Sequence, residues 1–349
     1  MMKKEIISKR YLNNGIPLVK LNDFQQKYLN LFLNDRRIKY KILYKCPLCE
    51  SENNILIAEK DRYAIPLETV VCEKCGLVRN YKQLDNDSTN IFYSEYYRKI
   101  YEPFSNLSDK LLSERYETGA KRKIPKYATQ DKTVLEIGCG GGWNLVSFHS
   151  KGYKYYGFDF DKNFIELGKK KGLNLYQGGV KEAIGMGIKC DYLLLDQVLE
   201  HTDNPIIFLE GLEDLLNEKA IINIYVPSLN LLWWGYSNYD LLGTLQNAHN
   251  FLFDEFTLEN IALTAGFRIT NCVAGNLVMQ NVSDTRNLAY ESIYQNRGEK
   301  IVKYLKFVEK SLCFRKKLGL ERFHFKKFYC LLKLKGCYRK FRVDYSGKI

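Results

Sequence analysis

Proline is scarce in this chain, 7 of 349 residues, and its 24 glycines are an ordinary share. Together these exclude a collagen-like or Pro/Gly-rich disordered protein. No apolar run approaches the roughly 18 residues that a membrane-spanning helix requires. Residues 1–15 carry Lys3, Lys4, Glu5, Lys9 and Arg10 with no apolar block behind them, which is not the pattern of a secretory leader. A cytoplasmic protein is therefore expected. Internal repeats and low-complexity tracts are lacking. Net charge is lacking too over most of the length: residues 1–284 hold 35 basic and 35 acidic side chains, whereas 285–349 hold 18 against 5 and so carry the whole excess of +13. What is present, 46% hydrophobic and 27% charged residues, is enough for a sizeable core. At about 150 residues per domain the length suits two domains and a remainder.

Four of the ten cysteines fall in two pairs, Cys46-Pro-Leu-Cys49 and Cys72-Glu-Lys-Cys75, with 22 residues between them. A reducing compartment argues against disulfides. Two tight turns presenting four thiolates can instead close a tetrahedron about 2.3 Å from a zinc ion. Four protein ligands leave no open position, so Cys46, Cys49, Cys72 and Cys75 are expected to hold a structural Zn2+. Gly76, directly after the second pair, supplies the backbone freedom such a turn needs. A redox role fits less well, because there are two pairs and neither follows a βα unit. Cys139, Cys190, Cys272, Cys313, Cys330 and Cys337 read as buried or incidental thiols.

Residues 1–40 read as an N-terminal extension with a helix over Asn22–Asn34 capped by Asn22. Residues 41–85 form the small cysteine-bearing domain, and 86–127 a helical connector rich in tyrosine and charge. From Thr133 the pattern changes. Short apolar runs at Thr133–Ile137, Tyr155–Asp159, Leu173–Gln177, Tyr192–Asp196 and Ile221–Val226 are separated by helical patterns such as Lys162–Lys171 and Asn204–Leu216. Strands alternating with helices indicate an α/β domain with a parallel sheet, here 128–283. Phe267–Val273 and Asn276–Val282 suit a closing hairpin. Residues 284–349 read as basic helices; Ile301, Tyr304, Leu305, Val308 and Leu312 share one helical face.

The strand Thr133–Ile137 runs into Gly138-Cys139-Gly140-Gly141-Gly142. Glycines at such a turn let a ligand approach the backbone. The third glycine of a dinucleotide fingerprint would fall at Trp143, so that pattern fails. The next strand ends at Asp159, where a carboxylate can accept from ribose hydroxyls. A nucleoside ligand without a pyrophosphate is the consequence.

Glu136-x-Gly138-x-Gly140, Asp159, Asp196-Gln197-Val198-Leu199-Glu200-His201 with Pro205, Val226-Pro227-Ser228, and His249 with Gly266-Phe267 resemble, in this order, the motifs of class I S-adenosylmethionine-dependent methyltransferases. The Cys46–Gly76 block followed by Phe92-Tyr93-Ser94-Glu95-Tyr96-Tyr97 is similar to the zinc-binding region of bacterial methyltransferases acting on nucleotide-linked deoxysugars and surface glycans. The resemblance covers about 41–275. It implies a Rossmann-like seven-stranded sheet. It also implies that Glu136, Gly138, Cys139 and Gly140 approach the methionine part of S-adenosylmethionine, that Asp159 binds its ribose and Phe158 or Phe160 flanks its adenine, and that Asp196 and Gln197 lie beside the methionine tail.

Glu200 and His201 read as structural, since the family carries this pair whatever its substrate. His249 lies in the substrate-facing loop. Sugar C-methylating relatives have a tyrosine and a Glu-His pair there; Gln246, Ala248 and His249 stand at those positions here, so only the histidine is kept. An imidazole with a pKa near 6.5 suits removal of a hydroxyl proton, and His249 is the catalytic candidate, with a structural role as the alternative. Trp233, Trp234, Tyr236, Tyr239, Tyr93, Tyr96 and Tyr97 are aromatic faces for a sugar or for the core. The expected reaction is methyl transfer to a sugar hydroxyl of a nucleotide-linked sugar or lipid-linked surface-glycan precursor. C- or N-methylation, RNA methylation and a non-catalytic, cofactor-binding role are the alternatives. The basic segment 285–349 has three functional readings: an anionic membrane surface at the inner face of the membrane, substrate phosphates, or nucleic acid, which fits the cysteine block less well.

Overall fold

The computed structural model describes residues 2–101, 108–232, 240–282 and 296–317. Trp233, Trp234, Tyr236 and Tyr239, the cysteines Cys330 and Cys337, and most of the basic segment lie outside the described residues. Among the described residues six strands precede Thr133: β1 (Met2–Lys4), β2 (Tyr40–Ile42), β3 (Asn54–Lys60), β4 (Pro66–Cys72), β5 (Val78–Asn80) and β6 (Lys82–Leu84). Eight more are β7 (Thr133–Ile137), β8 (Lys154–Asp159), β9 (Leu175–Gln177), β10 (Cys190–Asp196), β11 (Leu216–Tyr225), β12 (Phe251–Leu252), β13 (Phe267–Val273) and β14 (Asn276–Asn281).

Seven of them make one sheet in the order β13-β14-β11-β10-β7-β8-β9. Strands β11, β10, β7, β8 and β9 pair in parallel, and the β13–β14 hairpin closes the sheet antiparallel to β11. Buried parallel strands need apolar residues on both faces. Alternation supplies them. Val134, Tyr155, Tyr192 and Leu194 pack into the cluster that includes Phe148 and Ile165, while Leu135, Phe158, Leu193 and Leu195 pack into the one that includes Leu209, Leu258 and Ile261. The chain order reverses direction between β7 and β10, and ligands bind in such sheets at the carboxyl ends of the strands flanking that point.

The helical run expected over Asn204–Leu216 is shorter. Its helix spans Pro205–Glu210, Asn204 caps it, and the chain enters β11 at Leu216 after a single 3-10 turn. The Asn22 cap is formed as expected: its side chain accepts from Gln25 N, and Gln25 returns the bond to the Asn22 backbone.

The cysteine-bearing segment is not walled off from its neighbours. Its sheet has the order β1-β3-β4-β5-β12, so one edge strand comes from residues 2–4 and the other from the loop beyond residue 249. Residues 2–4 of the N-terminal extension thus supply an edge strand of this sheet. In the helix Arg297–Lys317 the apolar face is covered: Ile301, Tyr304, Leu305 and Val308 are buried against Ile55, Ile57, Val71 and Val78 of the sheet, and Leu312 is buried as well. Arg10 holds the same helix. It donates to both oxygens of Asp240 at 3.0 and 2.8 Å and to both of Glu309 at 2.9 Å. Among the described residues no helix is long and apolar enough to cross a membrane.

The start of this helix sits directly on the second cysteine turn. Gly298 N donates to Glu73 O at 2.9 Å, and a Cβ on Gly298 would lie 2.5 Å from Cys72 O and 2.6 Å from Glu73 Cα. Both are backbone atoms and cannot swing aside. Gly298→Ala is expected to cost about 1–3 kcal/mol, read as a lower denaturation midpoint at unchanged slope. An unchanged midpoint would mean that the helix is not seated there.

Candidate functional site

The two cysteine turns face each other. Gly76 N donates to Cys72 O and Cys72 N to Leu77 O, both at 2.9 Å, with Gly76 in the left-handed region at φ 80° as its place after the pair required. Cys46 Sγ lies 3.5 Å from Cys75 Sγ and Cys49 Sγ 3.5 Å from Cys72 Sγ, and all four sulfurs fall within 4.8 Å of one another. Ligands 2.3 Å from a central ion stand about 3.8 Å apart in a tetrahedron, so the cluster has the size and donor chemistry for Zn2+. Cys46, Cys72 and Cys75 are fully buried in the hydrophobic cluster that covers one face of the large sheet.

At the carboxyl end of β7, Gly138 and Gly140 take φ of 76° and 55°, and Gly138 passes so close to Val198 that a Cβ would lie 2.6 Å from its Cγ2. Gly138 N and Cys139 N both donate to Phe158 O, at 2.8 and 2.9 Å, tying the turn to β8. Gly140 N donates to Asp159 Oδ2 at 2.8 Å, and Asp161 N to Oδ1 at 2.8 Å. Burial pushes the Asp159 carboxyl up, and Arg98, 4.0 Å away, pulls the other way. The Cys139 thiol is buried under the turn, so any cofactor contact from this residue comes from its backbone.

Glu136 is fully buried in β7. Its Oε1 accepts from Asn144 Nδ2 at 2.6 Å, while Oε2 has no partner among the described residues. Burial pushes its pKa to about 8. The same Asn144 amide donates to Asp196 Oδ2 at 3.0 Å, and Arg122 lies 3.5 Å from that carboxylate. Phe160, 70% exposed, and Gln197, exposed with φ 59°, stand at the rim. The structure thus brings Glu136, Gly138, Cys139, Gly140, Asp159 and Asp196 together at the ends of β7, β8 and β10. Asn144, Arg122 and Arg98 join them unannounced. Nothing in their spacing marks them, because Asn144 and Arg98 come from different helices and Arg122 from the loop after the helix Asp109–Ala120.

The donor set fits S-adenosylmethionine. An orphaned buried carboxylate at Glu136 suits the methionine ammonium, and the Asp159 carboxylate beside a glycine turn suits the ribose hydroxyls.

A second group lies beyond β10. Glu200 and His201 occupy the helical turn Leu199–His201, and His249 comes from the loop that precedes β12. The two imidazoles meet edge to face with centroids 4.8 Å apart. One donor atom from each of Glu200, His201 and His249 lies within 4.8 Å of the others. His201 Nδ1 is 2.8 Å from Ala248 O and 3.0 Å from Tyr93 Oη. A carbonyl only accepts, so Nδ1 carries the proton. Asn80 Nδ2, donating to His249 O at 2.9 Å, ties the loop to β5. Burial pushes His201 down to about 4 and His249 well below its usual value, with His201 and Arg62 adding to the second shift. Both rings are therefore neutral near pH 7. Burial pushes Glu200 up to about 8, and neither of its oxygens has a partner among the described residues.

His249 is thus one of three, not a lone base. Of the three tyrosines read two ways, Tyr93 and Tyr97 set their ring edges against His201 at 6.2 and 5.9 Å. Tyr96 turns to the core, with its hydroxyl on Asp35 and its ring on Phe32. The π-helical turn Phe92–Tyr96 produces this divergence, as such turns often do beside functional sites.

Residues 111–271, somewhat under half of the chain, match a protein-family model described as "Methyltransferase domain". Over 189 residues the chain is 25% identical to a "Probable mRNA-capping enzyme" of Acanthamoeba polyphaga mimivirus, covering 51% of this chain and 15% of that protein. Over 110 residues it is 28% identical to a "Ubiquinone biosynthesis O-methyltransferase" of Bartonella bacilliformis, covering 29% and 44%. The chain thus spans less than half the length of either curated relative. A solved S-adenosylmethionine-dependent methyltransferase from Archaeoglobus fulgidus is 24% identical, with 46% of this chain and 75% of that chain covered and a TM-score of 0.37. Residues 111–271 thus match a methyltransferase-domain model, and their strand order and the glycine turn joined to Asp159 are those of the class I S-adenosylmethionine-dependent methyltransferase fold.

Proposed function

We propose that the chain transfers a methyl group from S-adenosylmethionine to a hydroxyl of a nucleotide-linked sugar or surface-glycan precursor. When bound, the cofactor supplies a methyl group already activated by its sulfonium, so the protein's task is to place the acceptor in line with it. Glu136, the glycine turn and Asp159 hold the cofactor, and Asn144 fixes Glu136 and Asp196 in one register. The Cys46–Cys75 cluster holds a structural zinc that secures the sheet on which the acceptor loop rests.

The observation that carries the acceptor reading is the buried Glu200–His201–His249 group with Tyr93 and Tyr97 at its edge. Neutral imidazoles suit a hydroxyl proton, and aromatic surfaces suit a sugar ring. The hydroxyl-methylating name of one relative agrees with an oxygen acceptor. His249→Ala is expected to lower turnover by about 10²–10⁴ and to leave S-adenosylmethionine affinity unchanged, by rate and titration calorimetry. Unchanged turnover would remove the group from the reaction.

RNA is the second reading. The excess charge in 285–349 and the capping-enzyme relative support it, and binding that weakens steeply with salt would be its mark.

A further inference from the structure

We propose that Glu200, His201 and His249 bind a divalent first-row transition-metal ion, at a site separate from the four cysteines.

Three observations carry this. The first is geometric: one donor atom from each residue already lies within 4.8 Å of the others, although they come from two segments some fifty positions apart. The second is the accounting of buried polar atoms. Glu200 has no accessible surface, and both of its carboxylate oxygens lack a partner among the described residues. His249 Nδ1 lacks one there too. Its Nε2 lies against the Gln246 side-chain amide; with the amide oxygen turned toward it, Nε2–H donates and Nδ1 keeps the lone pair that a metal needs. Buried polar groups are rarely left unpartnered, and a cation beside this carboxylate and imidazole satisfies them. The third is tautomer control. His201 Nδ1–H donates to the Ala248 carbonyl at 2.8 Å, which leaves the lone pair on Nε2. An imidazole whose second nitrogen donates to a carbonyl is the usual form of a metal-bound histidine. Tyr93, at 3.0 Å from the same nitrogen, steadies the ring further.

Two imidazoles and one carboxylate select a first-row ion such as Mn2+ or Fe2+ over Mg2+, which prefers oxygen alone. Thiolates select zinc, so the two sites sort different metals. Three protein ligands leave coordination positions open, and His201 and His249 are only partly exposed, so the opening is narrow. Resting on the acceptor reading above, the open positions take the acceptor hydroxyl: the cation acidifies it, its proton leaves to water as the oxygen–methyl bond forms and the sulfonium–methyl bond breaks, and His249 then serves the transfer as a ligand rather than as the base. Cation binding itself does not depend on that reading.

Mn2+ is the probe, because it is paramagnetic and competes poorly for thiolates. The full-length, zinc-loaded protein is dialysed against a mild chelator and titrated with Mn2+ by electron paramagnetic resonance. About one Mn2+ per chain is expected beyond the zinc, with couplings to two imidazole nitrogens in the electron spin echo. Glu200→Gln and His249→Ala are each expected to weaken Mn2+ binding at least about tenfold, with zinc content and S-adenosylmethionine affinity unchanged. No Mn2+ binding in the wild-type protein, an echo from water oxygens alone, or equal affinity in both variants would overturn the site. Intact Mn2+ binding without methyl transfer to any sugar would leave the site standing and remove the acceptor reading.

Discussion

Asp159→Ala is expected to weaken S-adenosylmethionine binding by about a hundredfold or more. The carboxylate sits at the end of β8, where it accepts from Gly140 N and Asp161 N at 2.8 Å, so its position is set before any ligand arrives. A preset charged acceptor facing two ribose hydroxyls contributes about 1.5–3 kcal/mol per hydrogen bond, and each 1.4 kcal/mol is about tenfold in affinity. The alanine variant also frees Gly140, which loses the anchor of its left-handed turn. Asp159→Asn separates the two effects. Its amide oxygen can still accept from Gly140, so it is expected to bind the cofactor better than alanine does. Calorimetric titration measures both, and a dissociation constant in Asp159→Ala within about threefold of wild type would show that the acid does not meet the ribose.

The second large effect is expected on removing the proposed zinc. Cys72→Ser would take a ligand from that four-cysteine site, and the zinc in closed sites of this kind contributes folding free energy on the order of 10 kcal/mol. That approaches the whole stability of an ordinary domain. The damage would not stay local. Cys46, Cys72 and Cys75 belong to the hydrophobic cluster that covers the large sheet, and the start of the helix Arg297–Lys317 is hydrogen-bonded to the second cysteine turn. Cys72→Ser, or wild type after exhaustive chelation, is therefore expected to unfold well below the wild-type melting temperature, with the helix released. Metal analysis should return about one zinc per wild-type chain. A metal-free wild-type protein that melts normally would refute the site.

What the sequence disclosed was local. The strand Thr133–Ile137 was readable to the residue, because a mainly apolar run ends at a glycine turn. Asp159 was readable because its place follows from the strand that precedes it. The cysteine cluster was readable because its spacing is its geometry. What stayed hidden was made by contacts across the chain. Asn144 bridges two carboxylates from a helix start, and no periodicity marks a bridging amide. The helix Arg297–Lys317 showed its apolar face plainly, but a face does not say what covers it; the cover is the sheet formed by residues 2–80 and 251–252. Glu200, His201 and His249 were seen as residues and not as a group, because their proximity depends on β12 pairing with β5, a two-residue contact too short to read from pattern.

The most direct test is transfer of labelled methyl from S-adenosylmethionine into a lysate of the source cells, resolved into nucleotide-sugar, lipid-linked glycan and RNA fractions, with wild type and His249→Ala side by side. Label in a sugar-bearing fraction that the variant fails to produce is the expected result. Label confined to RNA, or none in any fraction from a protein that binds the cofactor, would contradict methyl transfer to a sugar hydroxyl.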